Sequence, residues 1–343
     1  MMKRFTALLL CALCLSGLFA AAHADTVDPT QHNSEPIYTA RSSVQVRLLA
    51  EPDTDAVSLL SIPKGRRFNV YWVDPTWVEV EYDKKRGYIR RSCIEAVRVI
   101  DIVTTPPYGV EEFLYTAAVN GTAPVMSDKG AGDTLVTLYD GAKVALIGFE
   151  DGYGKMIYHR QYAYIDSNQL RDVAMVDRAL EDPSTGEPIA AYVSFYNIAQ
   201  TEANLGRMVN LQVACDRMRP MVLNTGSKLD FNKDVGPYNA ASGYQAAPIL
   251  ADGTTKLGYG GGTCQVSSTL YNTVLQLPGV AVLKRRAHGP SGASYLPHGV
   301  DAAVGNSALN FIMRNDYEYP IRIDAHCSDG ALYISVYRAE EGR

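Results

Sequence analysis

A cysteine placed directly behind a run of glycines is the residue of this chain best suited to do chemistry. In Leu257-Gly258-Tyr259-Gly260-Gly261-Gly262-Thr263-Cys264-Gln265-Val266-Ser267-Ser268-Thr269-Leu270-Tyr271-Asn272, four glycines fall within five residues and Cys264 follows almost at once. Glycines let the backbone bend tightly and approach another molecule closely. Behind the cysteine, Val266, Leu270, Val274 and Leu277 recur at helical spacing, and Pro278-Gly279 supplies a stop. The pattern predicts a helix whose N-terminus holds Cys264, where the dipole and unpaired N–H groups favour a thiolate. The same N–H groups, over Gly260, Gly261, Gly262, Thr263 and Gln265, could hold a developing oxyanion. That is the arrangement of a covalent cysteine enzyme. A cysteine can equally be a small buried hydrophobe, and a glycine turn only a connector. A phosphate loop does not fit, because the Lys-Ser/Thr pair is missing and the glycine spacing misses the dinucleotide fingerprint.

A wider set of ordered motifs surrounds this block. Asn204-Leu205-Gly206-Arg207-Met208-Val209-Asn210, Leu229-Asp230-Phe231-Asn232, Val235-Gly236-Pro237 and Gly243-Tyr244-Gln245-Ala246-Ala247-Pro248-Ile249 precede it. Ser294-Tyr295-Leu296-Pro297-His298-Gly299-Val300-Asp301-Ala302 and an Asn-x-x-x-Tyr-Pro-Ile run from Asn315 to Ile321 follow it. Together these motifs resemble the VanW family. The resemblance implies cell-wall work, with some VanW domains linked to L,D-transpeptidase chemistry through this cysteine.

A cysteine nucleophile needs a base and a group to orient that base. The downstream histidines are His288, His298 and His326. The VanW pattern usually reads Arg-His-x-His where this chain has Arg285-Arg286-Ala287-His288, so the first histidine is replaced and the second retained. His288 is therefore the expected base. His298 stands where the family commonly has an apolar residue, and His326 belongs to a strand beside Cys327. Asp301 either orients His288 or caps backbone amides in a Gly-x-Asp turn. No two Cys, His or Asp residues stand at ligand spacing, so no metal site and no cofactor is expected.

Upstream, the chain alternates short apolar strands with turns from about residue 36 to 99. Val44-Gln45-Val46-Arg47, Ile62-Pro63-Lys64-Gly65, Phe68-Asn69-Val70, Trp77-Val78-Glu79-Val80 and Gly87-Tyr88-Ile89 form a series that resembles a bacterial SH3-like domain, although Leu48-Leu49 stands where a Ser-Gly-Pro turn is usual. A second, weaker copy runs over 115–173, after a Thr104-Thr105-Pro106-Pro107 linker, and Asp182-Pro183-Ser184-Thr185-Gly186 links it to a VanW-like domain at 189–343. The expected architecture is multidomain: two small, independent all-β SH3-like barrels followed by an α+β VanW-like domain. Near the end of that domain, Asn310-Phe311-Ile312-Met313-Arg314 is expected to pair with Ile321-Arg322-Ile323-Asp324, and Ser328-Asp329-Gly330 to turn the chain into Leu332-Tyr333-Ile334-Ser335-Val336-Tyr337 as a hairpin. Where such modules function they tether exported enzymes to wall glycan or peptide; otherwise they are spacers. Tyr71, Trp72 and Tyr88 are the candidate stacking residues.

Residues 1–24 read as a secretory signal. Lys3-Arg4 precede an apolar run from Phe5 to Phe19, and Ala22-His23-Ala24 offers a cleavage site. The run is too short for a confident membrane span, so no transmembrane anchor is expected in the mature form. Cys11 and Cys14 lie inside it without the small residue that a lipoprotein site wants. Cleavage removes two positive charges and no acid, taking the formal charge from −5 to −7. No basic face recommends a nucleic acid. The 47% hydrophobic content is ample for packed cores. Of Cys93, Cys215, Cys264 and Cys327, Cys215 shares a helical stripe with Met208, Leu211 and Met218 and should be buried; export also permits a Cys215–Cys327 disulfide.

The function these signals favour is an exported cysteine acyltransferase acting on peptidoglycan, L,D-transpeptidase-like, with Cys264 as nucleophile and stem peptides and glycan as partners. The alternatives are a non-catalytic envelope-binding protein and a cysteine peptidase of the NlpC type acting on stem peptides.

Overall fold

The computed structural model describes residues 29, 31–100, 111–251, 254–288, 293–297 and 299–340. The signal segment 1–24, the Thr104–Pro107 linker and His298 lie outside the described residues. The chain is multidomain and largely β, with few helices.

In the first module the strands are Tyr38–Ser42, Val46–Leu49, Ser58–Ile62, Arg67–Val73, Trp77–Tyr82, Lys85–Arg90 and Ile94–Val99. Alternation buries one face: Phe68, Val70, Val78, Val80 and Ile89 join Leu48 and Ile62 in a single cluster. Trp77 is buried as well, with the Arg90 guanidinium 4.1 Å above its ring. The expected closed barrel is not formed. These strands make one open antiparallel sheet whose edges, Ser58–Ile62 and Ile94–Val99, do not pair with each other.

The second module is not a closed barrel either, because its strands split between two sheets. Thr134–Leu138, Ala123–Met126, Gln161–Asp166, Tyr153–Tyr158 and Gly148–Glu150 form one, and Lys143–Leu146, Tyr115–Val119 and Leu170–Met175 form the other. The chain changes sheets at Ile147, whose N–H already bonds the Lys155 carbonyl (2.8 Å) while Leu146 still pairs with Tyr115.

In the C-terminal region the elements are β1 (Ala190–Phe195), α1 (Glu202–Asp216), β2 (Met221–Leu223), β3 (Lys228–Asp230), α2 (Phe231–Asp234), β4 (Ala246–Ala251), β5 (Thr254–Tyr259), α3 (Thr263–Val274), β6 (Val280–Lys284), β7 (Ile312–Asn315), β8 (Ile321–Ser328) and β9 (Ala331–Arg338). The main sheet runs β1-β9-β8-β2, a second runs β3-β7-β6, and β4-β5 is a hairpin. The tight turn at Asp329-Gly330 closes β8 onto β9 as the sequence predicts. The expected pairing of 310–314 with 321–324 does not occur: β7 pairs with β3 and β6, and β8 with β9 and β2. The intervening Tyr317–Pro320 segment carries the chain from one sheet to the other. Asn315 fixes that departure, its Nδ2 donating to the carbonyls of Leu223 (3.0 Å) and Tyr319 (2.9 Å).

α1 and α3 pack on one face of the main sheet. Leu211 and Cys215 of α1, Val266, Leu270 and Val274 of α3, and Ile334 and Val336 of β9 share one core. The other face does not meet water. Ala191, Val193 and Phe195 of β1 and Ala331 and Tyr333 of β9 belong to the same cluster as Val125, Val144 and Met156 of the second module. The independence expected of that module is therefore corrected, since its core continues across residue 189. The segment after it is also tied down: Asp177 N–H bonds the Pro188 carbonyl (3.0 Å) and the buried Leu180 carbonyl accepts from Arg338 (3.3 Å). All four described cysteines are free thiols, and Cys215 is buried as its stripe predicts.

Exposing buried aromatics such as Phe195 and Tyr333 costs about 2–3 kcal/mol apiece. A fragment beginning at Glu187 should accordingly self-associate on size exclusion, whereas one beginning at Glu111 should run as a monomer. A monomeric 187–343 fragment with a cooperative melt would show that the two units do not depend on a common core.

Candidate active site

Cys264 occupies the first turn of α3, and the glycine block sets it there for steric reasons. Gly262 is the N-cap with φ +110°, a left-handed conformation that side chains rarely adopt. At Gly261 a Cβ would lie 2.6 Å from the Pro248 carbonyl oxygen, so only glycine lets this loop lie against β4.

Helix α3 carries an unusual load of buried polar residues, and they hold the next piece of the site. Asn272 Nδ2 donates to the Val300 carbonyl (2.7 Å). Ser268 Oγ accepts the Ala302 N–H (2.9 Å), and Ser267 Oγ donates to the Ala302 carbonyl (2.6 Å). Cys264 Sγ lies 3.4 Å from both the N–H and the carbonyl of Val304. Residues 300, 302 and 304 thus run antiparallel to 272, 268 and 264. The registers match because four helical residues rise about 6.0 Å and two extended residues about 6.6 Å.

Extended chain alternates its sides, so Asp301 and Ala303 face away from α3. Ala303 N–H bonds the Arg286 carbonyl (2.7 Å), and Asp301 Oδ2 accepts both the backbone N–H and Nδ1 of His288, each at 2.6 Å. Asp301 therefore does both things the sequence left open: it caps an amide and orients the imidazole. Arg285 takes the other oxygen (Nη2 to Oδ1, 3.4 Å) and donates through Nε to the Asp301 carbonyl (2.6 Å). With Nδ1 committed to Asp301, the other ring nitrogen of His288 is left for a neighbour, and the Cys264 thiol is close enough to favour the protonated ring. Cys264, His288 and Asp301 are brought together in a row.

The electrostatics follow from these bonds. The Asp301 hydrogen bond, then the neighbouring Cys264, push His288 up to about 10 against the opposing effect of burial. Burial alone would raise Asp301, but the two hydrogen bonds from His288 outweigh it and hold the carboxyl below its usual value. His326 behaves oppositely. Burial and then the nearby Lys143 and Arg219 drive it down to about 4, and it bonds those two residues (3.4 and 3.0 Å).

Two of the expected oxyanion donors are engaged within the loop. Thr263 N–H bonds the Gly260 carbonyl (3.0 Å) and Gln265 N–H the Gly262 carbonyl (2.8 Å). The N–H groups of Gly262 and Cys264 have no acceptor among the described residues. The loop, Cys264 and His288 open onto a cleft of about 930 Å³. Its wall is secured by Asn232, which bonds Tyr238 Oη and Gly305 N–H through Oδ1 (both 3.0 Å) and the carbonyls of Asn306 (2.9 Å) and Leu309 (2.8 Å) through Nδ2. Sequence reasoning named Asn232 only inside a motif and missed Val304 altogether. The regular polar spacing Cys264, Ser268, Asn272 was the available signal.

Trp72 and Tyr88 meet edge-to-face (6.0 Å), with His32 stacked on Trp72 at 4.8 Å. Tyr71 is separated from them: it is buried beneath Arg86 (3.9 Å) and donates to Glu81 (3.2 Å), so it offers little stacking surface. Among the described residues no cluster of three His, Cys, Asp or Glu could hold a metal, and no helix is long and apolar enough to cross a membrane.

A group whose pKa rises on folding stabilises the fold fully below its unfolded value, and loses that contribution as pH passes the folded value. For His288 that window runs from about 6.5 up to about 10. The melting-temperature difference between the wild type and Asp301→Asn should be largest near pH ~6. It should shrink toward pH 10, leaving only the remainder due to the backbone bond. A difference constant over that range would mean the Asp301–His288 charge pair does not form.

Residues 206–337 match the family model described as VanW like protein, and residues 42–95 match the bacterial SH3 domain. The chain is 26% identical over 299 residues to "Uncharacterized protein YoaR" of Bacillus subtilis (strain 168), covering 85% of this chain and 89% of that protein. Among solved structures, NlpC1 and NlpC2 from Trichomonas vaginalis are each 12% identical; the matches cover 91% and 89% of this chain and 95% and 97% of theirs. Their TM-scores of 0.17 carry no argument about fold. The chain therefore carries a VanW-like domain at 206–337, with a bacterial SH3 domain at 42–95 ahead of it.

Proposed function

We propose that this is an exported cysteine acyltransferase of the cell wall, acting on peptidoglycan stem peptides in the manner of an L,D-transpeptidase. The observation that carries the reading is the Cys264–His288–Asp301 row at the head of a helix, inside an open cleft. The Cys264 proton passes to His288, whose raised pKa favours the imidazolium, before sulfur adds to a peptide carbonyl, and the N–H groups of Gly262 and Cys264 receive the oxyanion. The C–N bond breaks, and the departing amine takes the proton from His288. The thioester then passes its acyl group to an incoming amine, which gives a new peptide bond, or to water. Asp301 keeps Nδ1 occupied throughout, which fixes the tautomer and orientation of the ring. The VanW match supports a cell-wall role, and a peptidase would share every step up to the choice of acceptor.

The reading includes cleavage of the signal near Ala24. It takes 36–99 and 115–173 as related SH3-like modules and 189–343 as an α+β unit, with α1 and α3 on its mixed sheets. Trp72 and Tyr88 of the first module would hold wall glycan or peptide.

With a purified muropeptide as donor and acceptor, Cys264→Ser should abolish cross-linked and hydrolysed products, and His288→Ala should slow them by roughly two to four orders of magnitude. Product formation undiminished in Cys264→Ser would end the reading. For the tether, Trp72→Ala in the full chain should release the protein from purified sacculi, while Tyr71→Phe should not. Equal retention of both variants would reduce the module to a spacer.

A further inference from the structure

Gln265 is fully buried in α3, and its amide has no freedom of orientation. Its Nε2 donates to Ser194 Oγ and to the Phe195 carbonyl, both at 3.0 Å, so Oε1 must accept. What it accepts is Nη2 of Arg207 on α1, at 2.6 Å. The stem of that arginine passes Gly262 closely: a Cβ there would stand 3.1 Å from Arg207 Cγ. The glycine block thus makes room for an arginine as well as for the turn.

Arg207 lines the same cleft as Cys264 and His288. A guanidinium carries five N–H donors, and a neutral amide orients it without neutralising it. Among the described residues no carboxylate stands within ion-pair distance of Arg207, and Gln265 is its hydrogen-bond partner. Asp230, the acid on the cleft wall, is already used: its Oδ1 accepts Asn310 Nδ2 (2.8 Å) and the Lys233 N–H (3.3 Å). A fixed, unneutralised fork beside a nucleophile is a site for a planar anion.

We propose that Arg207 is the specificity residue of the cleft and binds a free carboxylate on the acyl donor, next to the carbonyl that Cys264 attacks. This rests on the reading of Cys264 as nucleophile. The donor is then a peptide whose last residue is the leaving group: sulfur adds to the penultimate carbonyl, the C–N bond breaks, and the terminal amino acid departs with a proton from His288 and its carboxylate on Arg207. Donors with an amidated terminus are selected against. Gln265 is a positioning residue that acts through Arg207.

The test compares labelling of Cys264 by iodoacetate and iodoacetamide in the full chain, each rate divided by that of glutathione with the same reagent. The wild type should favour the anionic reagent, and Arg207→Gln, which can still donate to Gln265, should lose roughly tenfold of that preference. Arg207→Lys should retain the charge preference but lose part of the protection that N-acetylglycine, and not N-acetylglycinamide, gives the wild type against labelling. An unchanged preference in Arg207→Gln, with Cys264 still reactive to iodoacetamide, overturns the role of Arg207 alone. A wild-type Cys264 that reacts with neither reagent overturns the nucleophile reading and the proposal with it.

Discussion

The site depends on a coincidence of pitch between two kinds of backbone. One turn and a little more of α-helix covers nearly the same length as two residues of extended chain. Asn272, Ser268 and Cys264 can therefore each address one residue of 300, 302 and 304 in register. Because that side of the extended segment is committed to α3, the alternate residues Asp301 and Ala303 must turn the other way, where Asp301 catches His288. The histidine is placed on the cysteine by a chain of bonds that begins on the cysteine's own helix.

This explains why α3 can bury so many polar side chains. A buried hydroxyl or amide left unpaired costs about 1–3 kcal/mol. Here Ser267, Ser268, Thr269, Asn272 and Thr273 each have a partner, several of them on neighbouring segments of chain. Their pairing makes the arrangement an all-or-none device, because a slip of one residue in 300–304 would orphan the whole row and reverse the side on which Asp301 lies. Gln265 uses the same logic in the opposite direction, toward β1 and Arg207. The main sheet under α3 is held from behind by the second module, so the platform is rigid on both faces.

The glycine block, the cysteine and the helix behind it were legible in the sequence, since steric freedom and 3.6-residue periodicity are local properties. So was His288, through the family pattern, and the β8–β9 hairpin, through its Ser-Asp-Gly turn. The sheet partners of 310–314 were not. Apolar alternation says that a segment is a strand and not which strand it meets, and Asn315 redirects the chain by bonds that no short motif announces. Closure of the second module failed for a related reason, because the sequence gives no sign of the change of partner at Ile147. The open N–H groups of the loop were only half legible: periodicity locates a helix start, but carbonyl contacts within the loop decide which N–H groups stay unbonded. Arg207 stood in a quoted motif without a role, because its function needs Gln265 and Gly262, which lie more than fifty residues further along the chain.

If Cys264 is the nucleophile, it carries an acyl group during turnover. Intact-protein mass spectrometry of the mature chain mixed with a tetrapeptide muropeptide looks for that species. The expected result is a mass gain equal to the donor less its terminal amino acid, mapping to Cys264 on digestion and discharged when an amine acceptor is added. Turnover without any adduct under rapid quench, or an adduct confined to Cys215 or Cys327, would contradict it.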